Sequence, residues 1–273
     1  MEMEQFKKIA TQAALKGGEI LNEHRGKVKN IGYKDEVNLV TEVDRISEET
    51  ILQIIKENFP DHAILTEESE EFIPESKKSK SIYKWIIDPL DGTTNYAHGF
   101  PIYCVSIALE KNGEIILGVV YDPNLDELFV AEKGKGAFLS KGSSIAEDKH
   151  KISVSQTTEL SQSLLATGFP YDIRKSKIDN LDHFANFYKK AQAVRRGGSA
   201  ALDLCYLAMG RFDGFWELKL HPWDMAAGKL MVEEAGGKVT DFLGGSFNIY
   251  LKEILASNGK IHPQMIEILK LSL

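Results

Sequence analysis

The sequence predicts a mixed α/β protein built from two sheets with helices between and around them. Three observations carry this prediction. Apolar residues recur at helical spacing up to Pro60. From Tyr103 onward short apolar runs are joined by turn residues, and the second half of the chain alternates strands with helices. With 273 residues, the chain is long enough to bury a substantial core. The polar region at 141–151 divides it into an N-terminal α+β half, residues 1–145, and a C-terminal α/β half, residues 146–273.

Phe6, Ile9, Ala13, Ile20 and Leu21 share one face of a first helix, and Gly26 is its stop. A polar stretch to Glu36 leads into a short strand over 37–40. Val43, Ile46, Thr50, Ile54 and Ile55 define a second amphipathic helix that ends near Phe59-Pro60. Residues 67–80 are charged, poor in apolar anchors and read as a solvated loop. The run Trp85-Ile86-Ile87 reads as a buried strand. Asn112-Gly113 is a hairpin turn between strands at 105–109 and 115–121. Asp122-Pro123-Asn124 makes the next turn, followed by strands at 128–131 and 137–139. Beyond the polar region, strands are expected at 164–167, 213–218 and 254–256. Helices are expected at 181–191, at 200–209 before Gly210, at 225–235 before Gly236-Gly237, and at 263–269 with Pro263 in its first turn.

Composition removes several function classes. The net charge is −7 with no block of basic residues, which argues against nucleic-acid or membrane-surface binding by bulk electrostatics. Cys104 and Cys205 lie in apolar surroundings and read as small buried residues, not as a disulfide or a ligand pair. No export signal or membrane-length apolar stretch is visible, so the cytoplasm is the expected location.

The most informative segment is Trp85 to Asn95. A buried strand delivers Asp88 and Asp91 three positions apart, Pro89 between them blocks an immediate helix, and Gly92 allows a tight turn. Thr93 and Thr94 then add hydroxyls and free backbone N–H groups. Two carboxylates aimed at one point repel each other unless a cation lies between them. With no Cys or His nearby, oxygen ligands suit a hard ion, Mg²⁺ before Mn²⁺ or Ca²⁺. The same D-P-x-D-G string is also ordinary turn chemistry. The hydrophobic lead-in and the double threonine favour the metal site.

WIIDPLDGTTNYAH at 85–98 resembles a signature of the inositol monophosphatase family, Mg²⁺-dependent and lithium-sensitive phosphomonoesterases. WDMAAGKLMVEEAGG at 223–237 resembles the family's second signature, TEE at 66–68 its GEE element, and NLVTEVD at 38–44 its early aspartate motif. With RRGGSAALDL at 195–204, the resemblance runs from about Ile9 to the end. It implies an αβαβα layered sandwich, a homodimer, two or three bound Mg²⁺ ions with Mn²⁺ as a substitute, and hydrolysis of a small-molecule phosphate monoester. The first expectation is inositol 1-phosphate; fructose 1,6-bisphosphate, histidinol phosphate and a 3′-phosphonucleotide are the rivals. Some bacterial relatives are partners of the transcription apparatus, which is a rival of another class.

The resemblance also assigns roles. Asp88 is shared between two metals, Asp91 and Asp224 bind the second, and Glu67 with the Leu90 carbonyl completes the first. Glu68 is adjacent, so a one-residue slip would exchange it with Glu67. By spacing alone, Asp224 before a helix is an N-cap, and Thr41 with Asp44 resembles a capping box. The resemblance instead makes Asp44, with Thr93, the pair that orients and deprotonates the attacking water. Gly92 and Thr93 offer N–H groups to the phosphate, while Gly198, Ser199, Ala200, Arg195 and Glu217 face the substrate's alcohol portion. Lys34 belongs either to a flap or, more simply, to the surface. His98 and His221 flank the motifs without metal-ligand spacing, and no Ser/His/Asp signature supports a covalent route.

Overall fold

Two helices open the chain. α1 (Glu2–His24) buries Phe6, Ile9, Ala13 and Leu21, and α2 (Glu42–Asn58) buries Val43, Ile51 and Ile55, the helical stripes expected from their spacing. The computed structural model describes residues 2–27, 31–33, 39–72, 81–142 and 149–272. Between the helices, β1 (Ile31–Tyr33) pairs antiparallel with β2 (Leu39–Thr41). The strand predicted at 37–40 thus falls slightly later; positions 37 and 38, and Lys34, lie outside the described residues.

The larger sheet has the order β10-β9-β8-β7-β6-β5-β3-β4. Its strands are β3 (Ala63–Thr66), β4 (Glu70–Phe72), β5 (Tyr83–Asp91), β6 (Cys104–Lys111), β7 (Glu114–Asp122), β8 (Glu127–Glu132), β9 (Gly136–Lys141) and β10 (His150–Lys151). Only β3 and β5 run parallel among these neighbours. The β6–β7 turn at Asn112-Gly113 places both residues at positive φ, 52° and 87°, as a primed hairpin turn requires. One expectation fails here. Residues 70–72, read as solvated loop, pair with β3 as an edge strand, because an edge strand needs no apolar pattern when its partner supplies the ladder.

β5 is buried on both faces, which explains why its sequence is a continuous apolar run rather than an alternation. Trp85 and Ile87 pack with Val105, Leu109 and the α1–α2 layer. Ile86 faces the other way, into a core shared with α5 (Ala200–Ala208) and α6 (Pro222–Glu234). Gly118 of β7 lets α6 lie directly on the sheet, since an added β-carbon would meet the Ala227 carbonyl oxygen at 2.9 Å.

The second sheet, order β12-β11-β13-β15-β14, sits on the far side of α5 and α6. It comprises β11 (Leu164–Thr167), β12 (Ala193–Arg195), β13 (Gly214–Leu218), β14 (Lys238–Thr240) and β15 (Glu253–Ser257). Ala166, Phe215 and Ile254 face α5 and α6. Leu165, Trp216 and Leu255 face an outer layer containing Phe187 of α4 (Leu181–Tyr188) and Met265 of α7 (His262–Leu269). The layering is therefore αβαβα. α4 ends at Tyr188, short of the predicted 191, because the chain turns there to lay β12 parallel to β11. Among the described residues, no helix is long and apolar enough to cross a membrane.

Candidate active site

The carboxyl end of β5 carries the acidic pair. Its pairing with β6 shifts register between Asp88 and Asp91, so the strand kinks where the two carboxylates emerge. Gly92 follows at φ 100° and starts α3 (Thr93–Ala97). No other residue fits there, because a β-carbon would lie 2.8 Å from the Ile102 carbonyl oxygen and the backbone is left-handed. Asn95 fastens the turn by donating to the carbonyls of Ile102 (2.7 Å) and Gly197 (2.9 Å).

Neighbouring elements hold each carboxylate. The Leu90 N–H donates to Asp88 Oδ1 at 3.0 Å. Asp91 Oδ2 accepts from the Ser199 hydroxyl at 2.6 Å and the Ala201 N–H at 2.7 Å, which seats it at the amino end of α5. Asp224 Oδ2 accepts the His221 N–H at 2.7 Å; the N-cap of α6 is His221, and Asp224, expected at that position, stands three residues later inside the first turn, where it closes a capping box. The same carboxyl group also belongs to a cluster: oxygen atoms of Asp88, Asp91 and Asp224 lie within 4.8 Å of one another. One side chain thus closes the capping box of α6 and joins the acidic cluster.

Glu67 lines the same cleft, of about 520 Å³, with Leu90, Gly92, Thr93 and Glu217. Its position follows from α2. Buried Glu48 accepts hydrogen bonds from Thr66, Ser69 and the Glu68 N–H, so the backbone of Glu68 is tied behind the site while the charge of Glu67 is felt at Asp88, Asp91 and Asp224. α2 also supplies Asp44, whose Oδ1 accepts the Thr93 hydroxyl at 3.0 Å, and Ser47, which donates to the Pro89 carbonyl at 3.0 Å. The Thr93 hydroxyl lies 3.2 Å from the Leu90 carbonyl as well.

Burial and mutual repulsion oppose ionisation of this cluster. Burial, then Glu67, Asp91 and Asp224, push Asp88 well above the carboxylate range. Burial, then Asp91 and Glu67, do the same to Asp224. Asp91 is raised by burial to about 6, against the lowering hydrogen bonds of Ser199 and Ala201. Such a cluster is electrostatically incomplete without positive charge. All its donors are oxygen, so a hard divalent cation fits and the cluster is able to hold a metal.

The remaining predicted residues divide. Glu217 of β13 lines the cleft, buried, its carboxylate lying so close to the Gly168 backbone that only glycine leaves room. Burial, then Asp203 and Asp91, raise it well above its ordinary value. Gly198, Ser199 and Ala200 are not among the cleft-lining residues; they form the loop and helix start that grip Asp91 from behind. Arg195 sits exposed on edge strand β12, its guanidinium turned to the Val194 carbonyl. Adjacent Arg196 is the residue that packs on Gly198 and whose charge lowers Asp203 and Glu217. His98 is the exposed C-cap of α3, and His221 stacks on Trp223 with centroids 4.7 Å apart. Glu48, Ser47, Asn95 and Asp203 are supporting residues that sequence reasoning missed. Asn95 lies inside the quoted signature, whereas only tertiary contact distinguishes Glu48 from the other acids of α2.

The inositol monophosphatase family profile matches residues 2–272. The chain is 44% identical over 269 residues to the inositol-1-monophosphatase of Synechocystis sp., covering 98% of this chain and 90% of that protein. It is 41% identical over 270 residues to the Nus factor SuhB of Pseudomonas aeruginosa, covering 97% and 95%. The fold superposes on the inositol monophosphatase of Anabaena (Nostoc) sp. with a TM-score of 0.87 at 42% identity, covering 99% and 97% of the two chains. A family match over residues 2–272, with relatives above 40% identity along nearly the whole chain and a shared fold, leaves one conclusion: the chain belongs to the inositol monophosphatase family.

Proposed function

We propose that this chain is a Mg²⁺-dependent phosphatase that hydrolyses inositol 1-phosphate by direct attack of water. The observation that carries the reading is the convergence of Asp88, Asp91 and Asp224 at one end of a cleft whose wall includes Glu217 and Glu67. Asp88, Asp91, Asp224, Glu67 and the Leu90 carbonyl are the groups we assign to hold the cations. Bound there, a hard divalent cation neutralises charge on the phosphoryl and departing oxygens.

The chain's own residues do the rest. The first N–H groups of α3, at Thr93 and beside Gly92, have no partner within the helix and offer donors to the phosphate. Thr93 donates its hydroxyl hydrogen to Asp44, which leaves the threonine oxygen free to accept a hydrogen bond from the attacking water. Asp44, buried to 1% exposure, is then the proton acceptor. Glu217 accepts hydrogen bonds from the hydroxyls of the alcohol portion. Gly198, Ser199 and Ala200 act through Asp91, and we assign to Arg196, in place of Arg195, the task of counter-charge near Glu217.

Phosphate release from a panel of monoesters, with Mg²⁺ and with EDTA, tests the proposal. Inositol 1-phosphate is expected to give the highest kcat/KM, EDTA to abolish turnover, and lithium to inhibit at saturating substrate. Preference for fructose 1,6-bisphosphate, histidinol phosphate or a 3′-phosphonucleotide would move the substrate assignment, and full activity in EDTA would remove the mechanism. The relative named as a Nus factor supports a second reading, partnership with the transcription apparatus. Pull-down with and without RNA polymerase components addresses it, as sedimentation addresses the homodimer.

A further inference from the structure

The mouth of the cleft contains an arrangement that the phosphate chemistry does not use. Lys219, between β13 and α6, sits at φ 59°, a left-handed conformation that side-chain-bearing residues rarely adopt. Its backbone N–H is held by the Lys252 carbonyl. From this fixed position its ammonium crosses the mouth, donating to Asp172 Oδ1 and Oδ2 at 2.8 and 2.7 Å and to Ser176 Oγ at 2.7 Å. All three ammonium donors are thereby spent on the irregular segment between β11 and α4.

That segment carries Tyr171. The residue is 47% exposed, yet it lines the cleft beside Asp88, Asp91, Asp224 and Glu67. Burial first, then the charges of Glu67, Asp91, Asp224 and Asp88, raise its phenol above the ordinary value, so it is neutral, and the cleft it lines contains those four carboxylates. Among the described residues, no hydrogen bond engages that hydroxyl.

We propose that Lys219 is a positioning residue that, by tying Asp172 and Ser176, holds Tyr171 over the acidic cluster, where the phenol donates a hydrogen bond to the phosphoryl group of the bound ester. The inference rests on the cleft being the ester site. A neutral phenol suits the task, because it gives a donor to an anion without adding repulsion among the carboxylates. Lys219 itself is not the anion receptor, since Asp172 already neutralises it and consumes its donors.

The test uses the full chain with Mg²⁺, inositol 1-phosphate and p-nitrophenyl phosphate, and four variants. Tyr171→Phe is expected to lower kcat/KM about tenfold on both esters, as loss of one hydrogen bond to a charged group does. Asp172→Ala, at an exposed position that does not threaten folding, is expected to cost about the same, chiefly in KM. The double variant is expected to fall no further than Tyr171→Phe, because both changes remove one interaction. Lys219→Arg is expected to retain most of the activity, since the guanidinium can still bridge. Trypsin cleavage after Arg174, Lys175 or Lys177 is expected to accelerate in Asp172→Ala and not in Tyr171→Phe. The proteolysis readout does not depend on turnover, and wild-type phosphate release in the same assay reports separately on the parent reading. A rise in kcat/KM for Asp172→Ala would make Lys219 a plain anion attractor and overturn the proposal. So would full activity in Tyr171→Phe, multiplying losses in the double variant, or unchanged trypsin rates in Asp172→Ala.

Discussion

The Ser199 hydroxyl, the Ala201 N–H and the Cys104 thiol all donate to Oδ2 of the Asp91 carboxylate. Asp91→Asn keeps the size of that side chain and removes its charge. We expect kcat to fall by about a hundredfold or more, the scale of losing one pre-placed electrostatic partner. Stability in EDTA should hold or rise, because the native fold disfavours the ionised form. Turnover and thermal melting together check this; an unimpaired kcat would remove Asp91 from the machinery. Glu217 is a separate case, being buried in the cleft wall with the charge of Arg196 opposing the effect of Asp203 and Asp91 on it. Glu217→Gln should cost a polyol phosphate roughly 1.5–3 kcal/mol of transition-state binding and leave p-nitrophenyl phosphate nearly unaffected. Equal losses on the two esters would show that Glu217 does not touch ring hydroxyls.

At the scale of elements, four helix starts meet at one strand end. α2 brings Asp44, α3 brings Thr93, α5 grips Asp91 through Ser199, and α6 brings Asp224. Each amino terminus favours negative charge, so the fold eases the crowding of carboxylates that burial makes costly. Asn95 joins two of these elements by spanning the carbonyls of Ile102 and Gly197. Asn95→Ala leaves both carbonyls without that donor. It should destabilise by about 1–3 kcal/mol, read as a fall of several degrees in Tm. An unchanged Tm would mean that water replaces the amide and that the loop before α5 is fixed by other contacts.

For the molecule as a whole, the cluster couples stability to pH and to metal. A carboxyl group whose folded pKa lies above its unfolded value binds its proton more tightly in the native state. Its stabilising contribution is present at low pH and is lost as pH rises through the window between the two values. For Asp91 that window runs from the ordinary 3.8 to about 6, and Asp88 and Asp224 are displaced in the same direction. In EDTA, Tm should therefore decline as pH rises through that range. Added Mg²⁺ selects the ionised carboxylates, so its stabilising effect should grow with pH over the same range. Melting curves at a series of pH values, with and without Mg²⁺, decide it. A flat EDTA profile with no metal effect at neutral pH would contradict the coupling.

The layers and the acidic strand end were legible in the sequence for a physical reason: both are local patterns. Helical spacing exposes the buried faces of α1 and α2, the continuous apolar run of β5 reflects burial on both sides, and Asp88-Pro89-Leu90-Asp91-Gly92 encodes its own kink and turn. Edge strands β4, β12 and β14 were not legible, because three residues paired on a neighbour's ladder carry no period of their own. The supports of the site were hidden for a related reason. Glu48 looks like any acid of an amphipathic helix until Thr66 and Ser69 close on it, and Arg196 differs from Arg195 only in the direction that the chain gives it after β12. Tyr171 and Lys219, far apart in sequence, acquire meaning only where their segments line one cleft with Asp88, Asp91 and Asp224. By itself the sequence determined the family, the two-sheet layering and the acids Asp88, Asp91 and Asp224 that converge; which side chains brace those acids and which ones wall the cleft was decided by tertiary packing, because bracing depends on distances between elements that no local pattern records.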